Sequence, residues 1–439
     1  MIIKQILFLL FPLLVFSCSK SSGDADTFPP TLMESTPSNG ATSVNVNALI
    51  SCKFTEQIVL TDGKIKLNNQ LVSASVSART LTITPSTLKH NTTYTLLIPN
   101  QAIADLAGNF VKEISFSYTT ADSFFISPAL VTPNPSAQAV KLYNFLKLNF
   151  GKKVISGTMA NHSTNITEAT WVYNNTGKWP ALTTFDFIDH TNPNQNWIQY
   201  SAPITLGKDW WLNKGIVGLI WHWRDPLNKS GAFYTADTKF DVSKVNDPNS
   251  DEYKAMIADI DVIAGYLKQF KDAGIPVIWL PLHEASGTWF WWGAKGPEAC
   301  KALWKIMFNR LVTVHGLNNL IWVWTSDTSG SALSWYPGDE YVDIVGMDIY
   351  PGANQHGSQA VEFNKVRDLF RNKKIIALSE CGSVPDPALM KTNGDMWSWF
   401  MPWNGDYTES DTHNGVSWWK KFFSYDYVIT RDQMPDLKN

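Results

Sequence analysis

The chain has 439 residues, a formal net charge of -3 and only 17% charged residues, so it has room for a large domain with a smaller companion but no basic field that would hold a polyanion. No Lys/Arg cluster interleaves with aromatics, and nucleic-acid binding is therefore excluded from the expected roles. Twenty tryptophans exceed what a core needs, and because indole faces also stack on the apolar C-H faces of sugars, a carbohydrate is the first expected ligand.

Lys4 precedes an apolar run, Ile6 to Phe16, that is too short to span a bilayer but suits the central region of a secretory signal. It ends in "LVFSC", which resembles the lipobox of bacterial lipoproteins. Cleavage would then remove residues 1–17 and place lipid on Cys18, with residues 18–27 as a small, polar, flexible tether. The expected location is the face of a bacterial membrane, periplasmic or outer. The other cysteines, Cys52, Cys300 and Cys381, form no disulfide framework, and no His/Cys spacing suggests a metal, so neither metal nor cofactor is expected. Cys381 follows Glu380 directly, yet without a His partner nearby it is read as a small buried residue.

Residues 28–121 are rich in Thr, Ser, Asn and Val, with short alternating runs such as "LISCKF", "RTLTITP" and "TTYTLLIP" that predict strands. Asn68-Asn69 predicts a tight hairpin turn. Many short strands imply a β-sandwich. The pattern "STPSNGATSV", "LTITPSTLKHNTTYTLLI" and "AIADLAGN" before "FSYTT" resembles bacterial Ig-like domains, and with no aromatic platform the domain is expected to be a spacer. Residues 122–134 form a Pro- and Ser-containing linker.

From residue 135 to 439 the rhythm is strand, loop, helix. Predicted strands are "KVISGT" at 153, "PALTTFDF" at 180, "GIVGLIWHW" at 215, "PVIWLPLHE" at 276, "NLIWVWT" at 319, "VDIVGMDIY" at 342, "KIIALSE" at 374 and "MWSWFMPW" at 396. Between the third and fourth, Met256, Ile260, Ile263, Leu267 and Phe270 recur at helical spacing, and Gly274 stops the helix before Pro276. "PEACKALWKIMFNRLVTVHG" repeats the scheme. Near-continuous apolar strands alternating with helices predict an α/β fold, a (β/α)8 TIM barrel; an open doubly wound sheet is the rival, but no Gly-rich phosphate loop follows any strand.

Catalytic groups of such barrels sit at the C-terminal ends of strands. His222 then ends the third strand, Glu284 the fourth, Asp348 and Tyr350 the sixth, Glu380 the seventh and Trp403 the eighth. Each alone has a bland reading, as a loop cap or a core ring. Together, two glutamates brought to one mouth suit glycoside hydrolysis, in which one is protonated to release the leaving oxygen while the other is ionised. An ionised Glu380 would raise the pKa of Glu284, and apolar walls from Trp289 and its neighbours would add to the rise.

"LPLHEASGTWFWWG" and "ALSECG", with "WHW" upstream and "GMDIY" between, resemble glycoside hydrolase family 26, a clan A barrel family made up largely of β-mannanases. The resemblance runs from about residue 135 to the C-terminus. It implies Glu284 as acid/base and Glu380 as nucleophile, with His283 positioning the nucleophile or a substrate hydroxyl. It further implies Tyr350 as a donor to the nucleophile with Asp348 as its polar companion, Trp289 and Trp403 as sugar-stacking walls, and His222 as a contact to the sugar before the cleaved bond. Anomeric configuration is retained in the family and no metal is used. Family members often carry "EMNG" after the histidine where this chain has "EASG", so the departure lies beside the acid.

The expected function is a monomeric endo-β-1,4-mannanase acting on a mannan-type polysaccharide. The alternatives are β-1,3-xylan or mixed-linkage β-glucan on the same site, or a surface glycan-binding protein on a dead barrel, which would have no need of a matched acid and nucleophile. "FDFIDHTNPNQNWIQYSAP" and "WNGDYTESDTHNGVSWW" are candidate cleft walls.

Overall fold

The computed structural model describes residues 26–438 except 47, 62–63, 86–87, 122–124, 162–164, 192–201, 229–230, 327–330 and 371–372. The expected signal, Cys18 and most of the tether lie outside the described residues, as does half of the first candidate wall. The chain divides into two compact units, one within residues 26–119 and the other containing everything from Thr120 onward.

In the first unit, strands Leu32–Thr36, Ile50–Phe54, Thr80–Thr84 and Ser73–Ser77 form one antiparallel sheet in that spatial order. Strands Ile114–Thr119, Thr93–Ile98, Lys66–Leu67 and Gln70–Leu71 form a second. Alternate residues turn inward, as a two-residue side-chain period demands: Ile50, Cys52 and Phe54 from one sheet, Leu96, Ile98, Phe116 and Tyr118 from the other, all buried. Asn68 and Asn69 have φ of 46° and 65° and close the expected two-residue hairpin between Leu67 and Gln70.

The second unit is built on eight parallel strands: β1 Val154–Met159, β2 Leu182–Asp186, β3 Ile216–Ile220, β4 Val277–Leu280, β5 Leu320–Ser326, β6 Ile344–Ile349, β7 Ile375–Cys381 and β8 Trp399–Pro402. Each pairs with the next, and β1 pairs with both β2 and β8, so the sheet closes on itself as a TIM barrel. Every residue of all eight strands is buried, because the barrel interior covers one face and helices the other.

The helix before β4, Asp251–Asp272, shows how sequence sets the frame. Ser250 caps it by accepting from the Tyr253 N–H at 3.0 Å, Asp251 and Glu252 complement its first turn, and Lys271 its last. Met256, Ile260, Ile263, Leu267 and Phe270 are buried as their spacing predicts. Gly274, at φ 67°, turns the chain so that the Ile275 N–H reaches the Phe270 carbonyl, and Pro276 then leads into β4.

Two strands stop earlier than their apolar runs suggest. β4 ends at Leu280 because Leu282 and Glu284 adopt left-handed backbone, with φ of 52° and 51°. β3 ends at Ile220; two residues on, the His222 N–H is taken by the Asp186 carboxylate.

The tryptophan surplus is largely structural, contrary to its reading as a sugar signal. Among the described residues, eleven tryptophans (Trp210, 221, 223, 279, 291, 292, 304, 322, 397, 399 and 419) are fully buried. Trp322 of β5, for instance, packs on Trp304 and Phe308 of the helix Pro297–Asn309.

Gly207 gives a test of this packing. It lies in helix Ala202–Leu212, where alanine would ordinarily be preferred by about 1 kcal/mol. A Cβ there would sit 2.8 Å from the ring of fully buried Phe270. Gly207→Ala is expected to destabilise the barrel by about 1–3 kcal/mol in urea titration; a gain in stability would mean that Phe270 does not fill that space.

Candidate active site at the barrel mouth

The segment after β4 is held in an unfavourable backbone. Leu282, Glu284 and Thr288 all have φ between 51° and 60°, and for residues with a Cβ each such conformation costs about 1–3 kcal/mol. The aromatic tail braces it. Trp292 donates its indole N–H to the His283 carbonyl at 2.8 Å, and Trp291 donates to the Trp223 carbonyl at 2.6 Å. Phe290 lies 4.9 Å from the His283 ring and stacks on Trp292 at 4.5 Å. The glycines have steric reasons: a Cβ on Gly293 would fall 2.0 Å from the Ala285 carbonyl oxygen, and one on Gly287 would fall 2.0 Å from the Trp289 ring.

Of the four aromatics in "TWFWWG", only Trp289 is exposed. Its indole N–H donates to Glu284 at 3.0 Å, which makes it a polar partner of that carboxylate. The Glu284 backbone N–H donates to Thr325 of β5 at 3.2 Å. Ala285, the first residue of the departure at "EASG", is buried.

Glu380, buried on β7, faces Tyr350, whose hydroxyl donates to it in a very short hydrogen bond. Asp348 is opposite Glu380 in the β6–β7 register and accepts from Ser379 at 2.6 Å. Gly346 makes room, since a Cβ there would lie 2.3 Å from the Ser379 hydroxyl oxygen. Burial first, then the charges of Asp348 and Glu284, push the Glu380 carboxyl well above its ordinary value, while the Tyr350 hydrogen bond pulls it down. Thus the expected upward pressure within the pair acts on Glu380 itself. Burial, and then Glu380, push the Tyr350 hydroxyl upward, so it stays a donor.

His283 does not meet Glu380. It is buried, and its Nε2 lies 3.1 Å from Nε2 of His222. His222 in turn bonds Asp186, a carboxylate at the end of β2 that the sequence reading passed over: Nδ1 to Oδ2 is 2.6 Å and the backbone N–H to Oδ1 is 3.0 Å. Both nitrogens of His222 are therefore engaged inside the protein. Trp403 is half-buried one residue beyond β8, its ring 5.8 Å from that of His222. Cys381 is buried and its thiol is pushed well up, by burial and by Glu380, in keeping with an inert core position.

One aromatic was missed. Tyr234, exposed in the loop after β3, stacks on Phe290 at 5.5 Å, and the Thr235 N–H donates to the Trp289 carbonyl at 2.7 Å. Lone tyrosines in loops carry no spacing signal. The carboxylates of the mouth accept from His222, Trp289, Ser379 and Tyr350, a donor set suited to handling protons. Among the described residues, the carboxylates that converge closely enough to hold an ion are Asp26, Glu56 and Asp105, far from this site in sequence.

Two glutamates thus stand at the C-terminal mouth, Glu284 beside Trp289 and Glu380 beside Tyr350. Residues 131–433 match the model of Glycosyl hydrolase family 26, and residues 26–120 that of a bacterial Ig-like domain. The chain belongs to glycosyl hydrolase family 26. It is 37% identical over 321 residues to mannan endo-1,4-beta-mannosidase A of Piromyces sp, covering 71% of this chain and 51% of that protein. The chain thus spans about half the length of that relative. It is 36% identical over 355 residues to a mannan endo-1,4-beta-mannosidase of Thermothelomyces thermophilus, covering 76% and 71% respectively. A solved β-mannanase from a symbiotic protist of the termite Reticulitermes speratus, complexed with gluco-manno-oligosaccharide, superposes with a TM-score of 0.68 at 43% identity, covering 72% of this chain and 99% of that one.

Gly287 tests whether the placement of Trp289 matters. Gly287→Ala would push the exposed indole off Glu284 without touching the core. The melting temperature is expected to hold while kcat/KM on the family 26 substrate falls about 10²-fold. Unchanged kcat/KM would remove Trp289 from the site.

Proposed function

We propose that the chain is a retaining endo-β-1,4-mannanase acting by double displacement on mannan-type polysaccharides. The observation that carries this is the pairing of two carboxyls from separate strands, each with its own donor: Glu284 with Trp289 on the β4 side and Glu380 with Tyr350 on the β7 side. The names of the relatives support the substrate class.

In the first step the Glu380 oxygen not held by Tyr350 attacks the anomeric carbon as Glu284 gives its proton to the departing glycosidic oxygen. In the second, water gives a proton to Glu284 and its oxygen attacks the same carbon, releasing Glu380. A dry pocket with Asp348 and Glu284 nearby resists a second negative charge, which favours one proton shared by the pair when the cleft is empty. The positive charge that develops at the anomeric carbon, with the Tyr350 hydroxyl, then favours the ionised form of Glu380 at the moment of attack. Trp289 and Trp403 would supply stacking faces.

Sodium azide separates the two roles. Glu380→Ala with azide is expected to give the α-glycosyl azide, and Glu284→Ala the β-glycosyl azide, each from an enzyme that folds normally. The reverse products would exchange the assignments. Reducing-sugar release from mannan, galactomannan, xylan and barley glucan distinguishes mannanase from the β-1,3-xylan and mixed-linkage readings, and glycan binding without turnover would point to a dead barrel.

The pH profile follows from Asp348. Its charge is among the causes that raise Glu380, after burial. Removing that charge in Asp348→Asn lowers the Glu380 pKa, so Glu380 ionises at lower pH and the acid limb of kcat/KM is expected to move to lower pH. A limb that stays fixed or rises would show that Asp348 does not act on Glu380 by charge.

The same reading includes export and lipid attachment at Cys18, supported by "LVFSC" after the apolar run. The mass of the N-terminal peptide from a bacterial host tests it.

A further inference from the structure

Asp186 has no place in the double displacement, yet it is held by two hydrogen bonds from a single residue. It is buried at the end of β2, opposite Ile220 in the ladder, and reaches two residues further along β3 to accept from one residue twice, through the backbone N–H and ring Nδ1 of His222. A carboxylate only accepts, so the proton of that 2.6 Å contact belongs to Nδ1. The two imidazoles then meet Nε2 to Nε2 at 3.1 Å, a contact that holds one proton. With Nδ1–H on a neutral His222, its Nε2 is a lone pair and the proton between the rings is that of His283.

His283 is fully enclosed, and burial and then the neighbouring His222 hold its pKa well below the ordinary value, so it stays neutral. Its own Nδ1 is buried with no hydrogen-bond partner among the described residues, which suits a bare nitrogen better than an N–H left without an acceptor. The direction of both hydrogen bonds is thus dictated from the Asp186 end.

We propose that Asp186 is a positioning residue of this site, fixing His222 as the Nδ1–H tautomer so that its Nε2 accepts from His283 and the pair presents a neutral, oriented surface beside the two glutamates. It acts through His222 and touches no sugar. The consequence for catalysis rests on the glycosidase reading; the tautomer itself does not.

Asp186→Asn is the discriminating variant because it keeps the shape and changes one acceptor into a donor. Its single oxygen is expected to take the obligatory backbone N–H of His222, which turns the amide N–H₂ toward Nδ1 and moves the ring proton to Nε2, against His283. With the full chain labelled with ¹⁵N-histidine, two-bond ¹H–¹⁵N spectra report the tautomer of each of the eight histidines, and the signal missing in His222→Gln identifies the one in question. The expected result is Nδ1–H on His222 in the wild type, Nε2–H in Asp186→Asn, and a loss in kcat of about 10²-fold on a β-1,4-manno-oligosaccharide with a much smaller change in KM. A bare Nδ1 in the wild type, a His222 ring protonated on both nitrogens, or an Asp186→Asn enzyme with wild-type kcat would each overturn the proposal. Should that variant fail to fold, the wild-type spectrum still decides. A chain with Nδ1–H on His222 that is inactive on every glycan fails the glycosidase reading and keeps the tautomer assignment.

Discussion

The rest of the barrel is arranged around one electrostatic constraint: like charges are gathered in a place where water is scarce. Asp186, Glu284, Asp348 and Glu380 come from the ends of β2, β4, β6 and β7, and three of the four are buried. Isolated carboxylates in such a setting would take up protons or pull water in. Here each has a donor of its own, from His222, Trp289, Ser379 and Tyr350 in turn. The closed hydrogen-bond ladder keeps the strand ends from separating to relieve the repulsion, and burial, with the charges of Asp348 and Glu284 after it, still pushes the Glu380 carboxyl upward.

A second cost, the left-handed backbone around Glu284, is met by indoles rather than by the ladder. Trp291 and Trp292 turn their N–H groups onto main-chain carbonyls of Trp223 and His283, linking the tail of the β4 loop to the segment after β3 and back to itself. This gives the aromatic richness of the segment two separate meanings. The buried rings are girders that hold Glu284 in an awkward place, and Trp289 alone of the four is exposed. It also places "EASG" more closely: Ala285 is buried, and its carbonyl lies where a Cβ on Gly293 would fall, so the backbone beside the acid is packed against the aromatic tail.

The strand ends behave as the linkage between fold and chemistry. β3 stops where a carboxylate from β2 takes the N–H that the ladder would have used, so the same contact that ends the strand also aims His222. One element thus serves structure and site at once, which is why Asp186 carries no signature of its own in the sequence: an aspartate after "TTF" is an ordinary strand terminus until its neighbour is known.

What the amino-acid sequence by itself determined was everything set by periodicity and local chemistry. The eight apolar strands, the helix from Ser250 to Gly274 with its caps, the Asn68-Asn69 turn and the delivery of Glu284 and Glu380 to one end of a barrel all follow from residue order, because strand and helix periods and capping act over a few neighbouring positions. Only the tertiary structure decided which way the side chains at those strand ends turn: that His283 faces His222 instead of Glu380, that Trp289 is a donor to Glu284, and that most of the tryptophans are core. The histidine pair and the buried indoles depend on contacts between residues tens of positions apart, and the Trp289–Glu284 bond, only five positions apart, depends on the left-handed backbone between its partners; a single sequence records neither until the strands are packed side by side.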